Sequence, residues 1–428
     1  MKEKSYATAL DIERALVVGV DTENNPYFMD SIEELKNLAR ACAIEPVGEI
    51  VQNLPRHHPA LYVGTGKLDE IVDFVDREEI DVVIFEDELS PSQIRNLSKY
   101  LPNAEILDRT RLILEIFKSR AQTKEAKLQV EIARLRYALP RLRDTNQNFS
   151  RQRGGTGTKN RGAGETKLEL DRRKVELKIT ELERDLKAIE LNRQVRRKKR
   201  SESGVPIVAL VGYTNAGKST LMNGMVSLFK EDEEKLVFEK DMLFATLDTS
   251  VRSIKFDSGK QILLSDTVGF ISKLPHNLVK AFRSTLEEVR EADLLLHVID
   301  CSNPYYPQQI KVTNDTLKHI DADQIPQIFV YNKVDLIAGQ PPIQDGATVH
   351  ISAKKRLGYD ELITEITKAA FSNFETYKLL IPFDKGQLIS YLKDSYGLNS
   401  LEYVDNGTLV EVDLAPSDFD LYKEYIVK

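Results

Sequence analysis

The chain has 428 residues and a net charge of −7, with 41% hydrophobic and 30% charged residues. That length exceeds a single hydrophobic core, and the composition is that of a soluble globular protein. No apolar run is long enough to cross a membrane, and the acidic excess argues against wholesale coating of nucleic acid, although local patches still count.

The start, Met-Lys-Glu-Lys-Ser-Tyr, lacks the apolar core of a signal peptide. Cys42 and Cys301 are the only cysteines and lie in different predicted domains, which argues against a disulfide framework and fits a reducing cytoplasm. Apolar runs at 15–20, 81–85 and 104–107 predict strands, and helical patterns near 29–42, 67–78 and 91–100 lie between them. The alternation gives an N-terminal α/β domain over residues 1–108. Within it, Gly64-Thr65-Gly66-Lys67 superficially suggests a phosphate loop. It lacks the spacing and the hydroxyl residue after the lysine, so it reads as the start of a helix.

From 109 to 140 the pattern is helical. Leu112, Ile116, Leu128, Ile132, Leu135 and Leu139 form an apolar stripe, and Pro140 is expected to end it. Residues 151–166 form a glycine-rich basic loop, and 167–200 is helical again. Two helices around one loop predict an antiparallel hairpin spanning 109–200, with the loop at its tip. A Ser-Glu-Ser-Gly linker leads to a second α/β domain, 205–370, with strands at 207–211, 251–256, 261–265, 293–299, 326–331 and 347–351. Its sheet is expected to be mostly parallel and flanked by helices. Residues 371–428 predict a small C-terminal α+β domain, with strands at 379–381, 400–403 and 408–412 and a helix near 385–396.

The chemistry concentrates in the second domain. Gly212-Tyr213-Thr214-Asn215-Ala216-Gly217-Lys218-Ser219-Thr220 follows a strand and opens a helix. Glycines let the backbone bend around phosphates, and the helix N-terminus faces the anion. Lys218 is expected to reach the β- and γ-phosphates and the Ser219 hydroxyl to ligate Mg²⁺. Asp266-Thr267-Val268-Gly269 ends a later strand. Asp266 is expected to hold Mg²⁺ through a water, and the Gly269 amide to contact the γ-phosphate. Asn332-Lys333-Val334-Asp335 ends another strand; the Asp335 carboxylate can accept from guanine N1–H and the exocyclic amine, whereas adenine would leave it badly paired. Ser352-Ala353-Lys354 is expected to back this pocket through the Ala353 amide. Within Phe244-Ala245-Thr246-Leu247-Asp248, Thr246 is chosen over Thr249 as the switch threonine that ligates Mg²⁺. The set predicts a GTP-hydrolysing switch with Lys218, Thr246 and Gly269 at the reacting phosphate.

Two features bear on hydrolysis. The position after Gly269 is Phe270, which cannot orient a water as a glutamine does, so slow intrinsic turnover near or below ~10⁻⁴ s⁻¹ is expected. Asn215, three residues before Lys218, either recruits a K⁺ ion against the phosphates or braces the loop.

Along nearly its full length the chain resembles the HflX-type ribosome-associated GTPases. The matching stretches are Tyr-Val-Gly-Thr-Gly-Lys (62–67), Leu-Asp-Arg-Thr (107–110), the loop at 153–169, Phe-Ala-Thr-Leu-Asp (244–248), Asp-Thr-Val-Gly-Phe-Ile (266–271) and Ala-Phe-Arg-Ser-Thr-Leu-Glu-Glu (281–288). The loop is the most specific of these. The resemblance implies an N-terminal region that docks on the large (50S) ribosomal subunit near the peptidyl-transferase region of 23S rRNA. It also implies splitting of stalled or idle 70S ribosomes, and Phe270 fits the family's hydrophobic replacement. The residues point the same way: Arg151, Arg153, Lys159 and Arg161 sit among glycines, and Arg172 and Arg173 extend the patch onto a helix, so phosphate attraction would dominate. The alternative is a solvated loop. The expectation is a cytoplasmic, monomeric protein that binds GTP, GDP and the 50S subunit without membrane insertion. A ribosome-assembly checkpoint and a GTP-sensing protein scaffold are the rival readings.

Overall fold

Short buried strands alternating with amphipathic helices build the first of two units, drawn from residues up to Asp185. The computed structural model describes residues 12–22, 25–144, 161–201, 205–229, 244, 250–257, 259–273, 288–337, 344–345, 347–415 and 419–427. Strands β1 (Glu13–Asp21), β2 (Ile44–Asn53), β3 (Val82–Phe85) and β4 (Glu105–Asp108) form a parallel sheet in the order β2-β1-β3-β4. Helices α1 (Phe28–Ala41), α2 (Thr65–Glu78) and α3 (Pro91–Tyr100) connect them. Gly64 is the N-cap of α2 and Lys67 pairs with Glu70 at 2.6 Å, so the Gly-Thr-Gly-Lys stretch starts a helix as expected.

The segment from 109 onward differs from the expected single helical stretch. It is two helices, α4 (Arg109–Arg120) and α5 (Lys124–Asp144). The Asp108 side chain caps α4 at the Arg111 amide, and the buried Arg109 guanidinium pairs with Glu34 of α1, so α4 lies with the α/β sheet. Pro140 does not end α5 but lies inside it. Arg141 explains why: it donates to the Tyr137 carbonyl at 2.6 Å and to the Leu89 carbonyl at 3.0 Å, stacks over the Tyr137 ring, and meets Asp108 at 3.3 Å. These anchors offset the one backbone hydrogen bond a proline removes. Helix α6 (Arg161–Ser201) begins earlier than expected, and it meets α5 at an Arg136–Glu183 ion pair of 2.5 Å.

The second unit starts at Leu186. Its main strands are β5 (Ile207–Val211), β6 (Ser250–Lys255), β7 (Gln261–Asp266), β8 (Leu294–Asp300), β9 (Gln327–Asn332), β10 (Gln344–Asp345) and β11 (Thr348–His350). They form one sheet in the order β10-β11-β9-β8-β5-β7-β6, parallel except at its two edges, where β6 and β10 run antiparallel. The near-continuous apolar sequences of β5 and β8 suit strands covered on both faces. Helices α7 (Lys218–Leu228), α8 (Tyr306–His319) and α9 (Tyr359–Ala370) flank it, and Leu221, Met225, Leu362 and Ile366 are buried in its core.

A three-stranded antiparallel sheet follows: β12 (Glu375–Ile381), β13 (Ser400–Val404) and β14 (Gly407–Leu414), in the order β12-β14-β13, with α10 (Gly386–Ser395) between β12 and β13 and the short α11 (Phe419–Tyr422) after β14. It carries its own core of Leu379, Ile381, Leu392, Val410 and Val412. The tip of the β6–β7 turn rests on this domain: Lys260 Nζ lies 2.8 Å from Asp413 Oδ2, and a Cβ on Gly259 would fall 2.8 Å from the Gly397 Cα. None of the described helices is long and apolar enough to cross a membrane.

Candidate nucleotide site

The site gathers at the carboxyl ends of β5, β7, β8 and β9, where open parallel sheets present their ligand crevices. The loop after β5 turns tightly because two glycines permit it. Gly212 has φ 139° and a Cβ there would lie 2.2 Å from the Val298 carbonyl oxygen; Gly217 has φ 95° and its Cβ would meet Asn332 Nδ2 at 2.2 Å. Asn215 has φ 61°, a conformation asparagine tolerates better than most residues. Thr214 is 6% exposed, and its Oγ1 is buried with no hydrogen-bond partner among the described residues. A buried hydroxyl in that condition suits a polar ligand at the loop.

Lys218 opens α7 and turns back beneath the loop. Its Nζ donates to the Gly212 and Tyr213 carbonyls at 3.0 and 2.8 Å. Burial lowers its pKa to about 8, against the opposing charge of Asp266. Ser219 Oγ donates to Asp266 Oδ2 at 2.7 Å. Thr267 donates its hydroxyl to the Leu210 carbonyl, which ties the end of β7 to β5.

The Asn332–Asp335 motif is held by cross-links between loops. Asn332 Nδ2 donates to the Ala216 carbonyl at 2.8 Å, and its Oδ1 accepts from the Ala353 amide at 2.9 Å. The Ala353 amide thus holds Asn332. Ser352 Oγ donates to Asp335 Oδ1 at 2.7 Å, and this bond is the main reason the Asp335 carboxyl is held below its ordinary pKa. The carboxylate is therefore ionised at neutral pH, as an acceptor for guanine must be. Lys333 adopts φ 68° and pairs with Asp300 at 2.7 Å. Val334 is buried, whereas Lys354 is exposed.

A family model described as GTP-binding GTPase N-terminal matches residues 29–118, one described as GTP-binding GTPase Middle Region matches 120–200, and one described as 50S ribosome-binding GTPase matches 207–333. GTPase HflX of Caldanaerobacter subterraneus subsp. tengcongensis is 41% identical over 419 residues, covering 98% of this chain and 95% of that protein. The chain belongs to the GTPase HflX family. GTPase HflX of Alkalihalophilus pseudofirmus is 42% identical, with 92% of this chain and 91% of that protein covered. A solved GTP-binding protein of Sulfolobus solfataricus in complex with GDP is 25% identical at a TM-score of 0.44, covering 84% of this chain and 99% of that chain.

As a member of the HflX family, the protein is a GTP-hydrolysing enzyme with a P-loop nucleotide-binding domain. The Ser219 hydroxyl and the Asp266 carboxylate, side by side at a helix N-terminus, are the hard oxygen donors that suit Mg²⁺, which neutralises phosphate charge when bound. Phe270 is 2% exposed and supplies only its backbone to the site. No group in that position can orient a water.

Not every expected residue is described. Thr246, with Ala245, Leu247 and Asp248, lies outside the described residues, as do Arg151, Arg153 and Lys159. Arg161 begins α6, and its side chain is likewise outside the description. Arg173 is exposed, but Arg172 is half-buried and bonded to Glu176 at 2.9 Å. Sequence reasoning missed Lys355, whose ammonium lies 3.7 Å from Asp335, and Ser272, whose partner is Tyr213. Lys355 could have been found from its place beside the Ser-Ala-Lys triplet; nothing in the sequence pairs Ser272 with Tyr213.

Proposed function

We propose that this GTPase binds the large (50S) ribosomal subunit in its GTP form through its N-terminal region and dissociates stalled or idle 70S ribosomes, with hydrolysis permitting release. In this reading Lys218 and the Gly269 amide hold the terminal phosphate and Asp335 reads guanine. Ser219, Thr246 and Asp266 hold Mg²⁺, the last through a water. Arg151, Arg153, Lys159, Arg161 and Arg173 meet 23S rRNA. The observation that carries the reading is family membership over nearly the whole chain, with a P-loop domain matching a family described as 50S ribosome-binding. Losing the γ-phosphate would free the segments around Thr246 and Gly269. The protein would act in the cytoplasm as a monomer.

Sedimentation of the GTP-loaded protein with purified 30S, 50S and 70S particles is the direct test. Co-migration with 50S and conversion of 70S into subunits are expected. Association with precursor particles alone would favour an assembly checkpoint, and complexes insensitive to RNase a protein scaffold. Turnover should rise when 50S subunits are added, and equal rates would remove ribosomal activation. Replacing Arg151, Arg153 and Arg161 together should weaken 50S binding and spare nucleotide affinity. Faster hydrolysis in K⁺ than in Na⁺, lost in Asn215→Ala, would support a K⁺ site at Asn215, and equal rates would support a loop-bracing role.

A further inference from the structure

The three-stranded C-terminal sheet closes one of its edges and leaves the other open. Along β12 the residues near the chain's end do the closing: Leu379 bridges Ile426, and Val427 N donates to the Lys378 carbonyl at 2.8 Å. At the other edge, β13 pairs with β14 on one side only. All five of its residues are exposed. Sheet edges are commonly blocked by a proline, a bulge, a lysine or a charge aimed at the core. Strand β13 reads Ser-Leu-Glu-Tyr-Val, and its register with β14 runs without a shift. It carries none of those devices.

The two faces of this edge differ in chemistry. Residues directly opposite one another share a face. Leu401 stands opposite the buried Val410, and Tyr403 opposite the buried Thr408, so both lie on the core face. They are nevertheless 39% and 78% exposed, because the apolar layer runs out past the last strand. The other face holds Glu402, and Glu411 opposite Ser400; Asp405 lies in the turn after β13. None of these three carboxylates has an ion pair among the described residues. Residues 371–428 contain ten carboxylates, five lysines and no arginine.

We propose that β13 is a docking edge for an extended segment of another protein, which adds as a fourth strand. Its aliphatic side chains cover Leu401 and Tyr403, and lysines or arginines alternate with them on the face of Glu402. The open backbone edge supplies affinity, and the alternating side chains supply specificity. The carboxylates repel phosphates, which argues against a nucleic-acid strand. They argue equally against a second copy. Strand β13 paired antiparallel with itself about its centre sets Glu402 against Glu402, and like charges directly opposite destabilise. The inference is independent of the nucleotide site.

The test uses the full-length protein and a fluorescein-labelled peptide, Gly-Val-Lys-Val-Lys-Val-Gly. One control peptide has glutamate in place of lysine; another has alternate backbone nitrogens methylated, which blocks strand pairing. Fluorescence anisotropy should show saturable binding of the lysine peptide below about 1 mM, and weaker binding of both controls. Hydrogen exchange at 400–404 should slow when the lysine peptide is added. Glu402→Lys alters an exposed side chain and should move the preference toward the glutamate peptide, by about 2- to 30-fold in the ratio of affinities. Should that variant fail to fold, Glu402→Gln should move the ratio the same way by less. No binding of the lysine peptide, equal binding of all three, a ratio unmoved at Glu402, or protection only outside 400–404 overturns the proposal. A dimer in sedimentation equilibrium with 400–404 protected overturns it in favour of a second copy. Protection of the same strand by single-stranded RNA overturns it in favour of nucleic acid.

Discussion

In the proposed site Asp335 and Lys218 would serve opposite ends of one nucleotide, and their surroundings tune them differently. The Ser352 bond keeps Asp335 ionised. Asp335→Asn replaces an acceptor pair by one acceptor and one donor facing guanine's donors, so GTP affinity should fall about a hundredfold or more. Calorimetry with GTP, GDP and ATP checks this, and unchanged GTP binding would remove the guanine assignment. Lys218 is destabilised by its own burial. Its pKa falls from 10.5 to about 8, which corresponds to a cost of roughly 3 kcal/mol for the charged form. The unfolded chain keeps this proton up to pH 10.5 while the native protein releases it near 8. Stability should therefore rise as pH climbs through that window. Thermal unfolding of the native protein relative to Lys218→Met, in nucleotide-free buffer from pH 7 to 10.5, should show the rise in the difference. A flat difference would mean the lysine is solvated. In the proposed site a phosphate would supply the counter-charge that this pocket otherwise takes from two carbonyl dipoles and Asp266.

Elements were legible where one pattern fixed them. Helices α1 to α3 and strands β5 to β9 stand within a few residues of their predicted positions because apolar periodicity and burial coincide there. Strand β2 was not predicted: its burial alternates, and Pro46 and Gly48 interrupt it at the sheet edge. The end of α5 was misjudged because Arg141 holds it through partners 33 and 52 residues away, which no local pattern reveals. The phosphate loop, Asp266 and Asp335 were legible as motifs; the Tyr213–Ser272 pairing was not, since it depends on how two loops lie. The tip of the β6–β7 turn shows the same limit. Asp413 is partly buried, which pushes its carboxyl up, yet bonds from Lys260, Thr376 and Asn399 outweigh this and hold it below the ordinary range. Asp413→Ala should destabilise the second unit by about 1–3 kcal/mol. Urea unfolding checks it, and a change under a few tenths would show that the contact contributes nothing.

At the scale of the molecule, each unit carries its own sheet and its own buried core. A fragment spanning 205–428 should therefore fold alone and bind GTP within a fewfold of the whole chain, while losing affinity for 50S subunits. Circular dichroism and sedimentation read the two halves of that statement. An unfolded fragment would show that the GTPase domain depends on the residues before it.

The Asn332 side chain joins Ala216 across 116 positions of sequence. So long a loop is expected to close late, after the strands between have assembled. On that expectation the ligand's grip forms after the rate-limiting collapse. Guanine nucleotides added to a refolding chain should leave the rate of folding almost untouched and instead slow the reverse step, making them locks on a finished molecule and not templates for an unfinished one.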